Sequence, residues 1–300
     1  MAVVDPAAFA WDSPDGPAAH VRRVVSESAA ADGRSPLNEA ALLTLRHDGI
    51  HGSTLSLVED GFAWTHDGDL DLVVAPRRRD QGVGRSLAED LPDSASGGPS
   101  AAWSHGDHPA AARLADRFGW RRTRELWLMR RSLSDPLPPV VPAPGIGVRT
   151  FKPGADEDAV LAVNAEAFAQ HPEQALMSRA DMQQREEEPW FETAGFFVAV
   201  STEPGGTGSD NAEEVLGFHW TKVHDDDRPR GEVYVLGVSP RAQGRGLGRL
   251  LALTGLHHLR ERGLDEVVLY VEADNPAAVG LYQGIGFTHA PNDTDVQYTR

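Results

Sequence analysis

The sequence has no cysteine among its 300 residues. This absence excludes disulfide bonds, thiolate nucleophiles and zinc sites built on cysteine. No apolar run reaches the roughly eighteen residues of a membrane span, so no transmembrane helix is expected. The N-terminal residues MAVVDPAAFAWDSPDG lack a basic segment followed by an apolar one, so no signal peptide is expected. We therefore expect a cytoplasmic protein.

Basic residues are scarce: 28 Lys and Arg stand against 45 Asp and Glu, and the net charge is −17. Such a surface repels phosphate backbones, which argues against nucleic acid as a partner. It tolerates a cationic substrate such as an amine, although excess acid more commonly serves solubility. We expect a monomer that binds neither nucleic acid nor a membrane.

Proline is concentrated in the stretch SLSDPLPPVVPAPGIG, which runs from Ser132 to Gly147. Prolines at this density exclude a regular helix and favour an extended connector. We expect an N-terminal domain over residues 1–131, a linker over 132–146 and a C-terminal domain over 147–300.

The two halves of the chain resemble each other. The run EVYVLGVSPRAQGRGLGRLL, from Glu232, matches GDLDLVVAPRRRDQGVGRSL, from Gly68, with an offset of 164. This offset superimposes Val238, Pro240, Gly246 and Gly248 on Val74, Pro76, Gly82 and Gly84. Downstream, NPAAVGLYQGIGF, from Asn275, matches HPAAARLADRFGW, from His108, with an offset of 167. Two matched blocks in the same order indicate a duplicated domain.

Hydrophobic periodicity in the second half predicts alternating strands and helices. The predicted strands are residues 147–151, 195–201, 215–223, 232–238 and 266–272, with short strands near Phe287 and Val296. The predicted helices are residues 156–170, 179–188, 246–262 and 276–284. Mixed strands with interleaved helices indicate an α/β fold with a mixed sheet in each half.

A glycine loop, Gln243-x-x-Gly246-x-Gly248, stands between an apolar strand and an amphipathic helix. Glycines let the backbone approach a ligand and turn successive N–H groups into one concavity, and the following helix offers further N–H groups. Arginines at 241, 245 and 249 add positive charge to an acidic protein. A helix-capping surface turn would use similar residues, but the strand, the helix and the downstream Asn275-Pro276 and Tyr282 favour a pyrophosphate site.

This combination resembles the Gcn5-related N-acetyltransferase (GNAT) family, and the resemblance covers both halves of the chain. It implies two tandem GNAT domains of the acyl-CoA N-acyltransferase fold, with acetyl-CoA as co-substrate and one molecule for each domain at most. In the second half the implied acetyl-CoA contacts are Leu236, Gly237, Val238, Gln243, Gly244, Arg245, Gly246, Leu247, Gly248, Arg249, Asn275 and Gly280. In the first half they are Leu72, Val73, Val74, Arg79, Gly82 and Gly84.

Longer runs narrow the resemblance to one tandem-domain actinobacterial branch of that family. They are EAFAQHPEQ, EEEPWF, GFHWTKVHDDDRPRGEVYVLGVSP and LYVEADNPAAVGLYQGIGF. Members of this branch acetylate the cysteinyl amine of a cysteine–glucosamine–inositol conjugate, the last step of mycothiol biosynthesis. The resemblance, not the composition, implies this thiol-sugar as the small-molecule substrate.

Two residues are predicted to transfer protons. A free α-amine with a pKa of about 7.7–8.0 must lose a proton before it attacks, and Glu232 at the start of the strand could accept it. Tyr282 could donate a proton to the departing coenzyme A thiolate. The matching positions in the first half are Gly68 and Ala115, so the first domain is expected to be catalytically degenerate.

The resemblance also implies that Asp181, Lys222 and Tyr270, with Glu39 of the first domain, contact the sugar–inositol end of the substrate together with Glu232. Adjacent His257 and His258 point to different faces of a helix, and no metal-ligand spacing is present, so no metal is expected.

The predicted reaction is direct acyl transfer, with the oxyanion met by backbone N–H groups near Leu236–Val238. Two alternatives remain open. The chain could acetylate another amine, such as a peptide N-terminus or an aminoglycoside. It could also be a non-catalytic acetyl-CoA sensor, although retention of Glu232 and Tyr282 argues against that alternative.

Overall fold

The structure is a computed structural model that describes residues 2–92, 97–141, 144–169, 175–202, 213–224 and 229–300. Parts of two matching runs, residues 170–174 and 225–228, lie outside these ranges. Contacts divide the chain into unit 1, Met1–Trp127 with Pro291–Arg300, and unit 2, Leu128–Ala290. Residues 291–300 thus group with unit 1, whereas the sequence pattern assigned all of 147–300 to the second domain.

Unit 1 is built on strands in the order β1-β2-β3-β4-β5-β12. These are Ala2–Val3 (β1), Thr54–Val58 (β2), Gly61–His66 (β3), Asp69–Val74 (β4), Ala101–Ser104 (β5) and Thr288–Thr299 (β12). Its helices are Gly16–Asp32 (α1), Glu39–His47 (α2), Val83–Glu89 (α3) and Pro109–Arg117 (α4). The β4–β5 pair is parallel and the β5–β12 pair is antiparallel, so the sheet is mixed.

Unit 2 repeats this plan with strands in the order β6-β11-β10-β9-β8-β7. They are Arg121–Ser132 (β6, which begins in unit 1), Ile146–Thr150 (β7), Phe196–Ser201 (β8), Val215–His224 (β9), Arg230–Val238 (β10) and Glu266–Glu272 (β11). Its helices are Glu157–Ala167 (α5), Arg179–Glu186 (α6), Leu247–Glu261 (α7) and Pro276–Gln283 (α8). The mixed α/β fold predicted from the sequence is confirmed.

Helix α7 fixes the glycine loop to the sheet of unit 2. Its buried residues include Leu247, Leu250, Leu251, Leu256 and Leu259, which are spread around most of the helix circumference. Each buried leucine stabilises the fold by roughly 1.5–3 kcal/mol relative to an exposed one. The start of α7, and with it the loop, is therefore held rigidly at the end of β10.

Strand β10 changes its pairing halfway along. It is registered with β9 from Arg230 to Val238, with an irregularity between Val233 and Val235. Its parallel register with β11 covers only three pairs and ends at Val233 and Leu269. Bulges of this kind bend a strand and re-aim side chains next to binding sites.

The proline-rich segment makes hydrogen bonds to residues of unit 2. The Arg131 guanidinium donates to the carbonyl of Pro136 at 2.9 Å, and Nε2 of His257 lies 2.9 Å from the carbonyl oxygen of Pro138. Residues 142–143 lie outside the described residues.

Candidate functional site

The glycine loop of unit 2 has the backbone that an anion cradle requires. Gly244 and Gly246 have φ values of +77° and +78°, which side chains other than glycine rarely adopt. A Cβ atom on either would meet no atom of the described residues within 4 Å, so the loop faces open space. At Gly248 a Cβ would lie 3.3 Å from Leu281, so this glycine lets α8 pack against the start of α7.

The first-domain loop has the same conformation. Asp80, at the position of Gly244, has a φ of 57°, and Gly82, at the position of Gly246, has a φ of +86°. A Cβ on Gly84 would lie 3.4 Å from Leu114, which repeats the Gly248–Leu281 contact. The backbone geometry thus supports the duplication read from the sequence.

The two glycine loops differ in the partners of their arginine side chains. In unit 1, Arg79 forms two 2.7 Å hydrogen bonds to the carboxylate of Asp32, and Arg85 bonds Glu89 at 2.6 Å. In unit 2, Arg245 and Arg249 donate to backbone carbonyls at 3.3 and 3.2 Å. Within the described ranges neither of these two arginines has a carboxylate partner, so the second loop keeps more uncompensated positive charge.

Glu166 anchors the beginning of the second loop. Its carboxylate accepts a hydrogen bond from the Ser239 hydroxyl at 2.8 Å and pairs with Arg241 at 3.0 Å. Arg241 is therefore partly neutralised, in contrast to Arg245 and Arg249. Glu166 was not predicted as a site residue, because its contact joins parts of the chain that are far apart in sequence.

Leu236, Gly237 and Val238 line the edge of β10 where the pairing with β11 has ended. On the other edge they pair with His219, Phe218 and Gly217 of β9. A Cβ on Gly237 would lie 2.7 Å from the ring of Phe218, which explains the glycine. Because β10 and β11 separate here, backbone N–H groups can face a ligand between the two strands.

Glu232 is buried, with 7% of the residue exposed. It lies directly opposite Lys222 in the register of β9 and β10, and its Oε2 is 2.6 Å from Nε2 of His224. The Lys222 ammonium lies 4.4 Å from the ring centre of Trp190 and 5.3 Å from that of Tyr234. The predicted residues Glu232 and Lys222 are thus brought together on one face of the sheet.

The aromatic rings of Trp190 and Tyr234 lie beside Lys222, the partner of Glu232. Trp190 and Tyr234 meet edge to face at 5.1 Å, and Arg185 donates to the Tyr234 hydroxyl at 2.7 Å. Tyr234 stands at the irregularity of β10, two residues after Glu232 on that strand. None of Trp190, Tyr234, Arg185 and His224 was identified from the sequence. His224 could have been found, because it lies two residues after Lys222 on the same side of a strand.

Tyr282 lies on α8, which Asn275 caps by accepting a hydrogen bond from the Ala278 N–H at 3.0 Å. The phenol ring packs edge to face on Phe287 at 5.7 Å. Burial raises the pKa of the Tyr282 hydroxyl above the ordinary phenol value, at which the group is already protonated at neutral pH. On the same helix, a Cβ on Gly280 would meet no described atom within 4 Å.

The remaining predicted substrate contacts, Asp181, Tyr270 and Glu39, lie on α6, β11 and α2. The Asp181 carboxylate accepts hydrogen bonds from the Ser178 N–H and hydroxyl and so closes a capping box on α6. Tyr270 on β11 is 44% exposed. Glu39 begins α2 in unit 1.

Unit 1 contains a cavity of about 520 Å³ beside its glycine loop. All six predicted first-domain contacts line it, namely Leu72, Val73, Val74, Arg79, Gly82 and Gly84. Ala115, at the position of Tyr282, also lines this cavity.

Across the described ranges, no cluster of three or more His, Asp or Glu side chains is arranged to hold a metal ion. Buried His219 instead bonds the carbonyl of Leu251 at 2.8 Å, and burial lowers its pKa to about 4. Within the same part of the chain, no helix combines the length and hydrophobicity of a membrane span.

Comparison with known structures shows the fold. A GCN5-related N-acetyltransferase from Sphaerobacter thermophilus superimposes with a TM-score of 0.62 at 21% identity, covering 99% of this chain and 94% of that one. A tandem GNAT protein from the clavulanic acid biosynthesis pathway gives a TM-score of 0.58 at 19% identity, covering 83% and 82%.

Comparison with known sequences shows the family. Residues 164–287 match the profile of the acetyltransferase (GNAT) family. The mycothiol acetyltransferase of Nocardioides sp. is 48% identical over 94% of this chain and 97% of its own length. That of Thermobispora bispora is 48% identical over 93% and 95%, and that of Nocardia farcinica 46% over 93% and 92%. The chain therefore belongs to the mycothiol acetyltransferase family of GNAT enzymes and is an acetyl-CoA-dependent acyltransferase.

Proposed function

We propose that unit 2 transfers the acetyl group of acetyl-CoA to the cysteinyl α-amine of a cysteine–glucosamine–inositol conjugate, the last step of mycothiol biosynthesis. The observation that carries the proposal is the similarity of almost the whole chain to mycothiol acetyltransferases. The buried carboxylate of Glu232, on the strand that leads into the glycine loop, supports it.

In this proposal the loop from Gln243 to Arg249 holds the pyrophosphate. Gly244 and Gly246 leave space for it, and α7 adds its N-terminal N–H groups. The charges of Arg245 and Arg249 add attraction. The thioester carbonyl lies against the N–H groups of Leu236–Val238, where β10 has left β11.

Proton transfer then follows from two groups. The substrate amine loses a proton to Glu232, and its lone pair attacks the thioester carbon. The oxyanion is stabilised by the β10 N–H groups and collapses with release of the coenzyme A thiolate. As the C–S bond breaks, Tyr282 donates its proton to that thiolate, and the nitrogen of the intermediate loses its second proton, which restores the Tyr282 phenol. The products are the amide, free coenzyme A and the one proton held by Glu232, which passes to solvent.

Lys222, Asp181, Tyr270 and Glu39 are proposed to contact the polyol end of the substrate. Hydroxyl groups of a sugar or inositol can bond to each of these side chains. The position of Lys222 opposite Glu232 and against Trp190 supports its role. Asp181 would have to share its carboxylate with the α6 cap.

We also propose that the cavity of unit 1 binds a second acetyl-CoA without turnover. Its position beside the glycine loop supports this. The Arg79–Asp32 pair should weaken binding, since a phosphate must compete with that carboxylate. Calorimetric titration of the Gly246→Glu chain tests the idea, because a remaining acetyl-CoA site would belong to unit 1, and its loss would contradict the proposal.

The chain is further proposed to act as a cytoplasmic monomer without nucleic acid or a membrane. The net charge of −17 supports the exclusion of nucleic acid. Light scattering at working concentration would test the monomer, and a dimer mass would contradict it.

The experiment that tests the main proposal is an acetylation assay on the cysteinyl-glucosaminyl-inositol conjugate beside peptides and aminoglycosides. We expect the conjugate to have the highest kcat/KM. A peptide or aminoglycoside that outperforms it would replace the substrate assignment. Absence of turnover with every amine, together with tight acetyl-CoA binding, would favour a sensor.

A further inference from the structure

Glu232 has an unassigned neighbour at the end of β9. The His224 imidazole contacts the Glu232 carboxylate at 2.6 Å, which is short for a nitrogen–oxygen hydrogen bond. The side chain of Glu232 is 10% exposed and that of His224 is 26% exposed. The bond is therefore shielded from water at the carboxylate and open to solvent at the ring.

The sheet register makes this contact a fixed feature. Glu232 is opposite Lys222, and His224 is opposite Arg230, so His224 reaches Glu232 along the diagonal of the antiparallel pair. The four side chains share one face, and these are the charged groups of β9 and β10 that flank the carboxylate. Lys222 is also held against Trp190.

We propose that His224 is a positioning residue for Glu232. Its Nε2–H donates to Oε2 and fixes the carboxylate, which leaves Oε1 to accept the proton of the substrate amine. The N–H bond of the amine breaks, the Oε1–H bond forms, and His224 keeps its own proton throughout. This inference rests on the proposed function for the identity of the amine, but not for the hydrogen bond itself.

A fixed carboxylate has a kinetic consequence. The terminal torsion of a glutamate is broad, so an unanchored Glu232 would spend much of its time in unproductive orientations. Misplacement of a reacting group by about 1 Å can cost roughly 10²-fold in rate. His224 should therefore act on turnover, and not on the affinity for acetyl-CoA.

Two substitutions separate hydrogen bonding from simple packing. His224→Leu removes the donor, and we expect kcat to fall about 10–100-fold with an unchanged KM for acetyl-CoA. His224→Gln places an amide N–H at similar reach, and we expect it to recover most of the loss. In a Glu232→Gln background, His224→Leu should cost little more, because coupled residues are not additive.

Unit 1 offers a matched control. His66 contacts Asp71 at 2.8 Å through Nε2, also between half-buried side chains, and neither residue lines the cavity. His66→Leu should leave kcat unchanged. Full activity in His224→Leu, equal losses in His224→Leu and His224→Gln, or an additive loss in the Glu232→Gln background would each overturn the proposal.

The tautomer supplies a test that needs no turnover. Nitrogen NMR of the substrate-free chain should show the His224 proton on Nε2, with a downfield proton resonance that disappears in Glu232→Leu. A proton on Nδ1 would overturn the proposal. Inactivity of the wild-type chain on the conjugate would instead contradict the proposed function, and the NMR result would still decide the role of His224.

Discussion

Lys222 faces Glu232 directly across β9 and β10, while its ammonium rests over the ring of Trp190. The ammonium and the carboxylate therefore lie side by side on one face of the sheet. In the proposed function this carboxylate accepts the proton of the substrate amine. The relationship therefore leads to a first prediction about Glu232.

Glu232→Gln should lower kcat by about 10²–10⁴-fold, the usual contribution of a general base. The loss should shrink as the pH rises above the pKa of a free α-amine, about 7.7–8.0, because the amine then deprotonates unaided. Profiles of kcat against pH for both proteins check this. Glu266→Gln on neighbouring β11, whose carboxylate contacts Arg130, is the control. Equal turnover of Glu232→Gln and wild type at every pH would remove Glu232 from the mechanism.

Tyr282→Phe should slow acyl transfer about 10²-fold or more while the Kd for acetyl-CoA stays unchanged. The ring would still pack on Phe287, and only the proton donor is lost. Single-turnover kinetics and calorimetry separate the two effects. A weakened Kd with normal turnover would instead make Tyr282 a binding residue.

The two glycine loops should respond unequally to a negative charge. Gly246→Glu should abolish activity, because the carboxylate would lie where the pyrophosphate binds, whereas Gly82→Glu should leave most of it. Both glycines have positive φ. Gly246→Ala and Gly82→Ala carry the same backbone strain without the charge and serve as controls. Loss of turnover in Gly82→Glu alone, at normal thermal stability, would move the chemistry to unit 1.

His219 should make unit 2 sensitive to acid. Burial lowers the pKa of His219 from 6.5 in the unfolded chain to about 4. Above pH 6.5 both states are neutral, and as the pH falls below it the unfolded state gains the proton first and is favoured. Each pH unit in this window costs about 1.4 kcal/mol of unfolding free energy.

Denaturant titrations of wild type and His219→Asn check that effect. Between pH 6.5 and pH 5 the wild type should lose about 2 kcal/mol more than the variant, which lacks the titrating group. Removing the imidazole also changes the unfolding free energy by an amount that does not depend on pH. That amount cancels, because each protein is compared with itself at the two pH values. A difference between the two proteins that does not change with pH would show that His219 does not carry the acid sensitivity.

Local sequence patterns were sufficient to predict many of the helices and strands of unit 2. Strand β11 spans Glu266–Glu272 as its apolar run predicts, α7 is one residue shorter than predicted at each end, and α8 is one residue shorter at its C-terminal end. Their hydrophobic faces and caps lie within the elements themselves. Strand β12 was not predicted as one element, because its segment APNDTD has no alternation. Its last residues are held by pairing with β5, nearly two hundred positions away.

The candidate site likewise has features that could be predicted from the sequence and features that could not. The glycine loop was recognisable, because its conformation depends on residues that are adjacent in sequence. The contacts of Glu232 with His224, and of Glu166 with Arg241, depend on strand register and helix packing. Strand alternation could have placed His224 on the same side as Lys222, but its contact with Glu232 also needs the register of β9 and β10. The contact of Glu166 with Arg241 cannot be obtained from spacing at all.

The pairing of strand β12 affects the order in which the two units can fold during synthesis. Residues 296–299 pair with Ala101–Ser104, so the sheet of unit 1 is closed by residues that leave the ribosome after all of unit 2. Domains usually fold in the order of their synthesis. Unit 1 is translated first, but its strand β5 lacks the partner strand β12 until unit 2 has been synthesised. The sheet of unit 1 is therefore completed only after the residues of unit 2 have been made.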